Sequence, residues 1–267
     1  MLKQTLLFCC FLFLSACDLI DYHPYDGHLN LSQRDINKQN ISIIETKTKK
    51  QDTIRFAFIG DTQRSYDETD EFVKHINTRQ NNIDFIIHGG DFTEFGLKKE
   101  YEWAIQILNK LEIPYVGLIG NHDLLGNGED VFHELFGEEN FSFIAKDTKF
   151  ICLNTNALEG DYSNPVPNFD FLNQEIQDTR LYIRTIVVMH ARPGSEQFDN
   201  NVKEIFQTYI KQLPSLLFCL NAHNHQLQTD DLFNDGIIYY GCSNIAKRNY
   251  ILFTLTPNNY TYEIIYF

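Results

Sequence analysis

Ile54-Arg55-Phe56-Ala57-Phe58-Ile59-Gly60-Asp61 is a short apolar run that stops on a glycine and a carboxylate. The pattern recurs along the chain. Ile83 to Ile87 runs into His88-Gly89-Gly90-Asp91, and Tyr115 to Ile119 into Gly120-Asn121-His122-Asp123. Thr185 to Met189 ends at His190, and Leu216 to Leu220 at Asn221-Ala222-His223-Asn224-His225. Runs of this length, rich in Ile, Val and Phe and bounded by Gly, read as buried strands. Ligands and catalytic groups in α/β sheets gather outside the carboxyl ends of the strands. Here that end carries Asp, Asn or His each time. One such histidine is readily explained as a satisfied core residue. Five polar strand ends are not, because each buried polar group needs its own partner.

Helical spacing fills several of the gaps. Asp67 to Gln80 reads as a helix, as do Lys98 to Glu112, with Trp103, Ile107, Leu108 and Leu111 apolar, and Asp199 to Gln212, with Val202, Ile205, Phe206, Tyr209 and Ile210. Strands alternating with helices predict βαβ units and a largely parallel central sheet. The last third differs. Ile237 to Tyr240, Tyr250 to Leu255 and Tyr260 to Tyr266 are successive strand-like runs, with a turn at Pro257-Asn258-Asn259. The expected fold class is α/β, a mixed sandwich closed by hairpin strands, in one domain spanning 53–267.

The chain has 267 residues, 43% of them hydrophobic, enough for a sizeable core. Its 36 acidic against 22 basic side chains give a formal net charge of −14. That balance argues against a nucleic-acid coat, which needs a basic face. It leaves an anionic small substrate open, because a bound metal reverses the local sign.

The N-terminus reads as a targeting segment. Lys3 precedes the apolar run Leu6 to Leu14, which is too short for the about 20 residues of a spanning helix. The ending Leu14-Ser15-Ala16-Cys17 resembles the lipobox of bacterial lipoproteins, which implies cleavage before Cys17 and lipidation of its thiol. The expectation is a signal peptide over 1–16, a polar tether over 17–52 with a short docking strand around Ile41 to Ile44, and a location in the bacterial cell envelope, anchored to the membrane through Cys17. Cys152, Cys219 and Cys242 sit in or beside apolar runs and read as buried thiols.

Asp61, Asp91, Asn121, His190, His223 and His225 offer carboxylate, amide and imidazole donors. That set suits Mn, Fe, Zn or Mg, and is too large for one tetrahedral ion. Two divalent ions about 3.5–4 Å apart, with a shared carboxylate and a bridging hydroxide, would use it fully and draw in a phosphate group.

These blocks, in this order over Asp61 to His225, resemble the calcineurin-like metallophosphoesterases. The resemblance implies a sandwich of two β-sheets flanked by helices (αββα) and metal-dependent hydrolysis of a phosphomonoester or phosphodiester. It implies Asp91 as the bridging carboxylate, Asp61 and His225 on a first metal, and Asn121, His190 and His223 on a second. His122 then resembles the family's proton donor, with Asp123 orienting its imidazole. One departure stands out: the family's Asp-x-His is here Asp61-Thr62-Gln63, so Gln63 would offer an amide oxygen in place of an imidazole. Ala222 stands where Gly is usual. Arg64 and Arg192 follow metal-site blocks and read either as phosphate donors or as surface ion pairs. His88 reads either as a donor behind the site or as a packed strand histidine. The segments Leu124 to Gly137 and Leu158 to Asn168 are expected to shape the pocket. The alternative reading is a non-hydrolytic scaffold lipoprotein on the same fold, to which Gln63 points.

Overall fold

The computed structural model describes residues 32–79, 82–160 and 165–267. The lipobox and Cys17 lie outside the described residues. In chain order the elements are α1 (Ile36–Thr48), β1 (Ile54–Ile59), α2 (Tyr66–Asn77), β2 (Phe85–His88), α3 (Lys98–Leu108), β3 (Tyr115–Gly117) and α4 (Gly128–Phe136). There follow β4 (Phe141–Ala145), β5 (Thr148–Leu153), α5 (Phe169–Ile176), β6 (Arg184–Met189), α6 (Lys203–Ile210) and β7 (Leu216–Asn221). The chain closes with β8 (Gln228–Asp230), β9 (Ile238–Gly241), β10 (Asn249–Leu255) and β11 (Tyr260–Tyr266). Among the described residues no helix is long and apolar enough to cross a membrane.

The strands form the two sheets of the expected sandwich. One has the order β11-β10-β1-β2-β3, the other β4-β5-β6-β7-β9-β8. Each keeps a parallel core, β1-β2-β3 and β5-β6-β7-β9; antiparallel strands flank the first on one side and the second on both. The period-two alternation of a strand sends neighbouring side chains to opposite faces, and both faces here are apolar. Phe56, Phe58, Phe85 and Ile87 point between the sheets, meeting Phe150, Ile186, Val188, Phe218 and Leu220. Their neighbours Ala57, Ile59 and Ile86 point outward under Phe72, Tyr101, Ile105 and Phe132 of α2, α3 and α4. On the far side Val187, Met189 and Cys219 lie under Leu172, Phe206 and Ile210 of α5 and α6. The result is the four-layer α/β/β/α sandwich. Its centre is aromatic: the Phe56 ring stacks 5.4 Å from Phe85 and 5.1 Å from Phe253, and meets Phe150 edge-on at 5.2 Å.

Two local readings differ from the expectation. Around Ile41 to Ile44 the chain is helical, part of α1, because Ile36, Ile44 and Thr48 fall on one buried helix face. This helix covers the open edge of β3. Asn37 Nδ2 donates to the Gly117 carbonyl at 2.9 Å and Gly117 N donates back to Asn37 Oδ1 at 2.8 Å, while Asn40 Nδ2 donates to the Tyr115 carbonyl at 2.8 Å. Side chains thus complete a ladder that an edge strand otherwise leaves unpaired. An unpaired buried group costs about 1–3 kcal/mol. Asn37→Ala should therefore lower the thermal unfolding midpoint by about 2–12 °C; an unchanged midpoint would show that water replaces the amide. In α3 the buried face is Tyr101, Ala104, Ile105 and Leu108, and Trp103 is exposed. Trp103 lies on the outer face because the sheet lies under the stripe that starts at Tyr101.

Candidate metal centre

The five parallel strands β1, β2, β3, β6 and β7 end at the same rim, and every predicted ligand is on a loop that leaves one of them. Asp61 and Gln63 follow β1, Asp91 follows β2, Asn121 and His122 follow β3, His190 follows β6, and His223 and His225 follow β7. The loops turn sharply. Asp61, Asp91, His223 and His225 all have left-handed φ, between 53° and 67°. That conformation costs free energy in a non-glycine residue and persists where surrounding contacts over-determine it. Glycine supplies the room: a Cβ on Gly120 would lie 2.1 Å from Asp91 Oδ1, and one on Gly90, at φ 103°, 2.7 Å from His190 Nδ1.

The side chains fall into two groups that share Asp91. In the first, His225 Nε2 lies 3.3 Å from Asp61 Oδ1, and Gln63 Nε2 donates to Asp91 Oδ2 at 3.2 Å. In the second, Asn121 Oδ1 has His190 Nε2 and His223 Nδ1 each at 3.0 Å. His190 Nε2 is also 3.4 Å from Asp91 Oδ2, so this one carboxylate oxygen faces both groups. His190 donates its other nitrogen, Nδ1, to the Gly89 carbonyl at 2.7 Å, which sets Nε2 toward the centre. Burial opposes charge on His190, but the Asp91 carboxylate against it, with Asp61, outweighs burial and holds its pKa up at about 9.

The donors fit a cation. Asp61, Asp91 and His190 are buried, and each brings a ligand atom within 4.8 Å of the other two. Asp61 Oδ2 and Gln63 Oε1 are buried with no hydrogen-bond partner. A buried oxygen without a donor is costly, and a divalent ion supplies what these atoms lack. The donor set is oxygen and imidazole nitrogen, with no thiolate among the converging groups: Cys152, Cys219 and Cys242 are free and buried, as expected.

His122 stands beside this centre. Its backbone amide donates to Asp91 Oδ1 at 3.0 Å, and its ring Nδ1 donates to the Glu94 carbonyl at 2.8 Å. That bond corrects the expectation for Asp123. The Asp123 carboxylate accepts the backbone amides of Asp91, Phe92, Thr93 and Gly120, and the Thr93 hydroxyl. Burial raises its pKa to about 7, the Asp91 charge acts in the same direction, and these donors pull against both. Asp123 therefore ties the β2 and β3 loops together, and the imidazole of His122 is oriented by Glu94. A side chain buried under the loop cannot also reach a ring that faces out of it.

The family described as calcineurin-like phosphoesterase matches residues 54–262. The chain belongs to this family. These residues carry the fold and the donor set of a metal-dependent phosphoesterase. The chain is 23% identical over 240 residues to the uncharacterized protein YvnB of Bacillus subtilis, a match covering 75% of this chain but only 18% of YvnB. It is 25% identical over 181 residues to a protein of Xenorhabdus bovienii named "Probable cyclic nucleotide phosphodiesterase", covering 60% of this chain and 69% of that one. A dimetal phosphatase from Danio rerio shares the fold at a TM-score of 0.57, with 12% identity over 79% of this chain and 95% of that one.

Against the phosphoesterase pattern, the Ala222 departure is absorbed locally: its methyl lies in space left open by Gly60 and Gly89, where an added Cβ would come within 2.7 and 3.0 Å of it. Arg64 and Arg192 both have acidic partners. Arg64 pairs with Glu94 and is exposed, and Arg192 pairs with Asp230. His88 is a packed histidine. It stacks on Phe92 at 3.8 Å, donates from Nε2 to Thr62 Oγ1 at 2.9 Å, and accepts the Gly90 amide on Nδ1 at 3.2 Å. Burial pushes its pKa down to about 3, so it is neutral. Leu124, Glu129 and His133 from the segment Leu124 to Gly137, and Glu159, Gly160, Pro165 and Val166 from the segment Leu158 to Asn168, line a cavity of about 400 Å³. Glu94 and Glu196 are contacts of the site that no sequence motif marks.

Proposed function

We propose that the domain hydrolyses a phosphoester at the shared rim of the two sheets, with two divalent ions held on either side of Asp91. The observation that carries this is the position of Asp91 Oδ2, 3.2 Å from Gln63 Nε2 and 3.4 Å from His190 Nε2. Asp61, Gln63 and His225 would hold one ion, and Asn121, His190 and His223 the other. When bound, such ions supply Lewis acidity toward phosphate oxygens and a water acidic enough to react near neutral pH. The residues of the chain do the rest. Asp91 holds the two groups in register and, through Oδ1, fixes the backbone of His122. The Glu94 carbonyl accepts the Nδ1–H of His122, so Nε2 is the nitrogen left to pass a proton to the leaving oxygen when the ring carries a proton on both nitrogens. On the sequence reading, the domain is tethered by lipid on Cys17 in the bacterial cell envelope.

The Xenorhabdus relative's name makes a phosphodiester the first substrate to try. The test is hydrolysis of a nitrophenyl phosphomonoester and the matching diester by the full chain, stripped of metal and reloaded with Mn²⁺. Metal-dependent turnover is expected, and the ratio of the two rates assigns the bond. Gln63 favours one other reading, a scaffold without catalysis, because its amide nitrogen faces Asp91 where the family places an imidazole. Absence of turnover together with absence of bound metal would select the scaffold.

A further inference from the structure

We propose that Glu196 is a positioning residue that makes His223 a metal ligand through Nδ1. The inference rests on the two-ion reading above. The two rings of the second group are built alike. Each aims one nitrogen at Asn121 Oδ1, His190 through Nε2 and His223 through Nδ1, both at 3.0 Å. Each donates its far nitrogen to an acceptor: His190 Nδ1 to the buried Gly89 carbonyl at 2.7 Å, and His223 Nε2 to Glu196 Oε1 at 3.0 Å. An acceptor behind the ring keeps the hydrogen on the far nitrogen and leaves the lone pair on the near one, and a carboxylate there also raises the basicity of the ligand. The rings themselves pack edge-on, 5.2 Å between centres, so neither can rotate without moving the other.

The loop after β6 delivers both parts. His190 opens it and Glu196 lies midway along it. Within the loop Ser195 N donates to the Arg192 carbonyl at 3.1 Å, and the Asn200 side chain accepts from Gly194 N at 2.8 Å and donates to the Ser195 carbonyl at 2.7 Å. These bonds hold the loop's own shape, and the Glu196–His223 bond joins it to the loop after β7. Glu196 itself is exposed, so nothing in the core depends on it.

The test is calorimetric titration of the metal-stripped full chain with Mn²⁺ alone. Wild type should bind two ions. Glu196→Ala should weaken one of them by about 10–100-fold, the usual effect of losing a partner behind a metal-bound imidazole, and leave the other unchanged. Glu196→Gln should recover most of the loss, because its amide oxygen still accepts the Nε2 hydrogen. In a His223→Ala background, Glu196→Ala should add nothing, and the metal-free melting midpoint of Glu196→Ala should match wild type. Wild-type affinities for both ions in Glu196→Ala would overturn the role of Glu196 alone, as would an undiminished effect when His223 is already alanine. A wild-type chain that binds no Mn²⁺ would overturn the two-ion reading together with it.

Discussion

Replacing Asp91 should release both ions and reduce turnover to background. Its Oδ2 faces the side chains of both halves of the centre. A unit charge 4 Å away is worth about 4 kcal/mol near a protein surface, on the order of a thousandfold in affinity for each ion. Asp91 has a φ of 62°, which alanine tolerates poorly and asparagine well. Asp91→Asn is therefore the cleaner variant: it keeps the turn and an acceptor for the His122 amide and removes only the charge. Metal content after gel filtration, measured beside hydrolysis, decides the matter; two retained equivalents in Asp91→Asn would end the bridging role. The metal-free protein has its own signature. His190 is held at about 9, above the usual histidine value, mainly by Asp91 against burial. Stability from that charge is present in full below pH 6.5 and is lost as pH rises through about 9. In Asp91→Asn this slope should disappear from a urea-midpoint series over pH 6–10.

His122→Ala should do the opposite to the two observables: both ions stay, and the rate falls by roughly 10²–10⁴, the usual worth of a positioned proton donor. The imidazole lies outside both ligand groups, and its Nδ1 is engaged by the Glu94 carbonyl. The loss should depend on the leaving group. Nitrophenolate departs readily without a proton, so the penalty should be small there and large for an alkyl ester. Loss of metal from His122→Ala, or an equal penalty for both esters, would show that His122 does something other than protonate.

Much of this was readable along the chain because it is local. Strand identity followed from short apolar runs, and the donor types at their ends followed from their place one to five residues beyond each run. Pairing into sheets was not readable. Phe56 and Ala57 are both apolar, so the run from Ile54 to Ile59 shows no preferred face. Only the opposing layers decide which residue meets a sheet and which a helix. The helix over Ile36–Thr48 was missed for a related reason. Its amphipathic signal is weak, and it is held by Asn37 and Asn40 bonding to an edge strand 75–80 residues away.

The candidate site divides in the same way. The sequence by itself determined which side chains are present at the rim, since ligand chemistry belongs to residue type and strand ends are local features. Only the tertiary structure decided their partnerships. Asp123 is consumed by backbone amides of two loops, Glu94 turns a carbonyl toward His122, and Glu196 reaches His223 across 27 positions. A hydrogen bond is satisfied by whatever lies within about 3 Å, and chain order carries no record of which loops the packing of two sheets will bring that close.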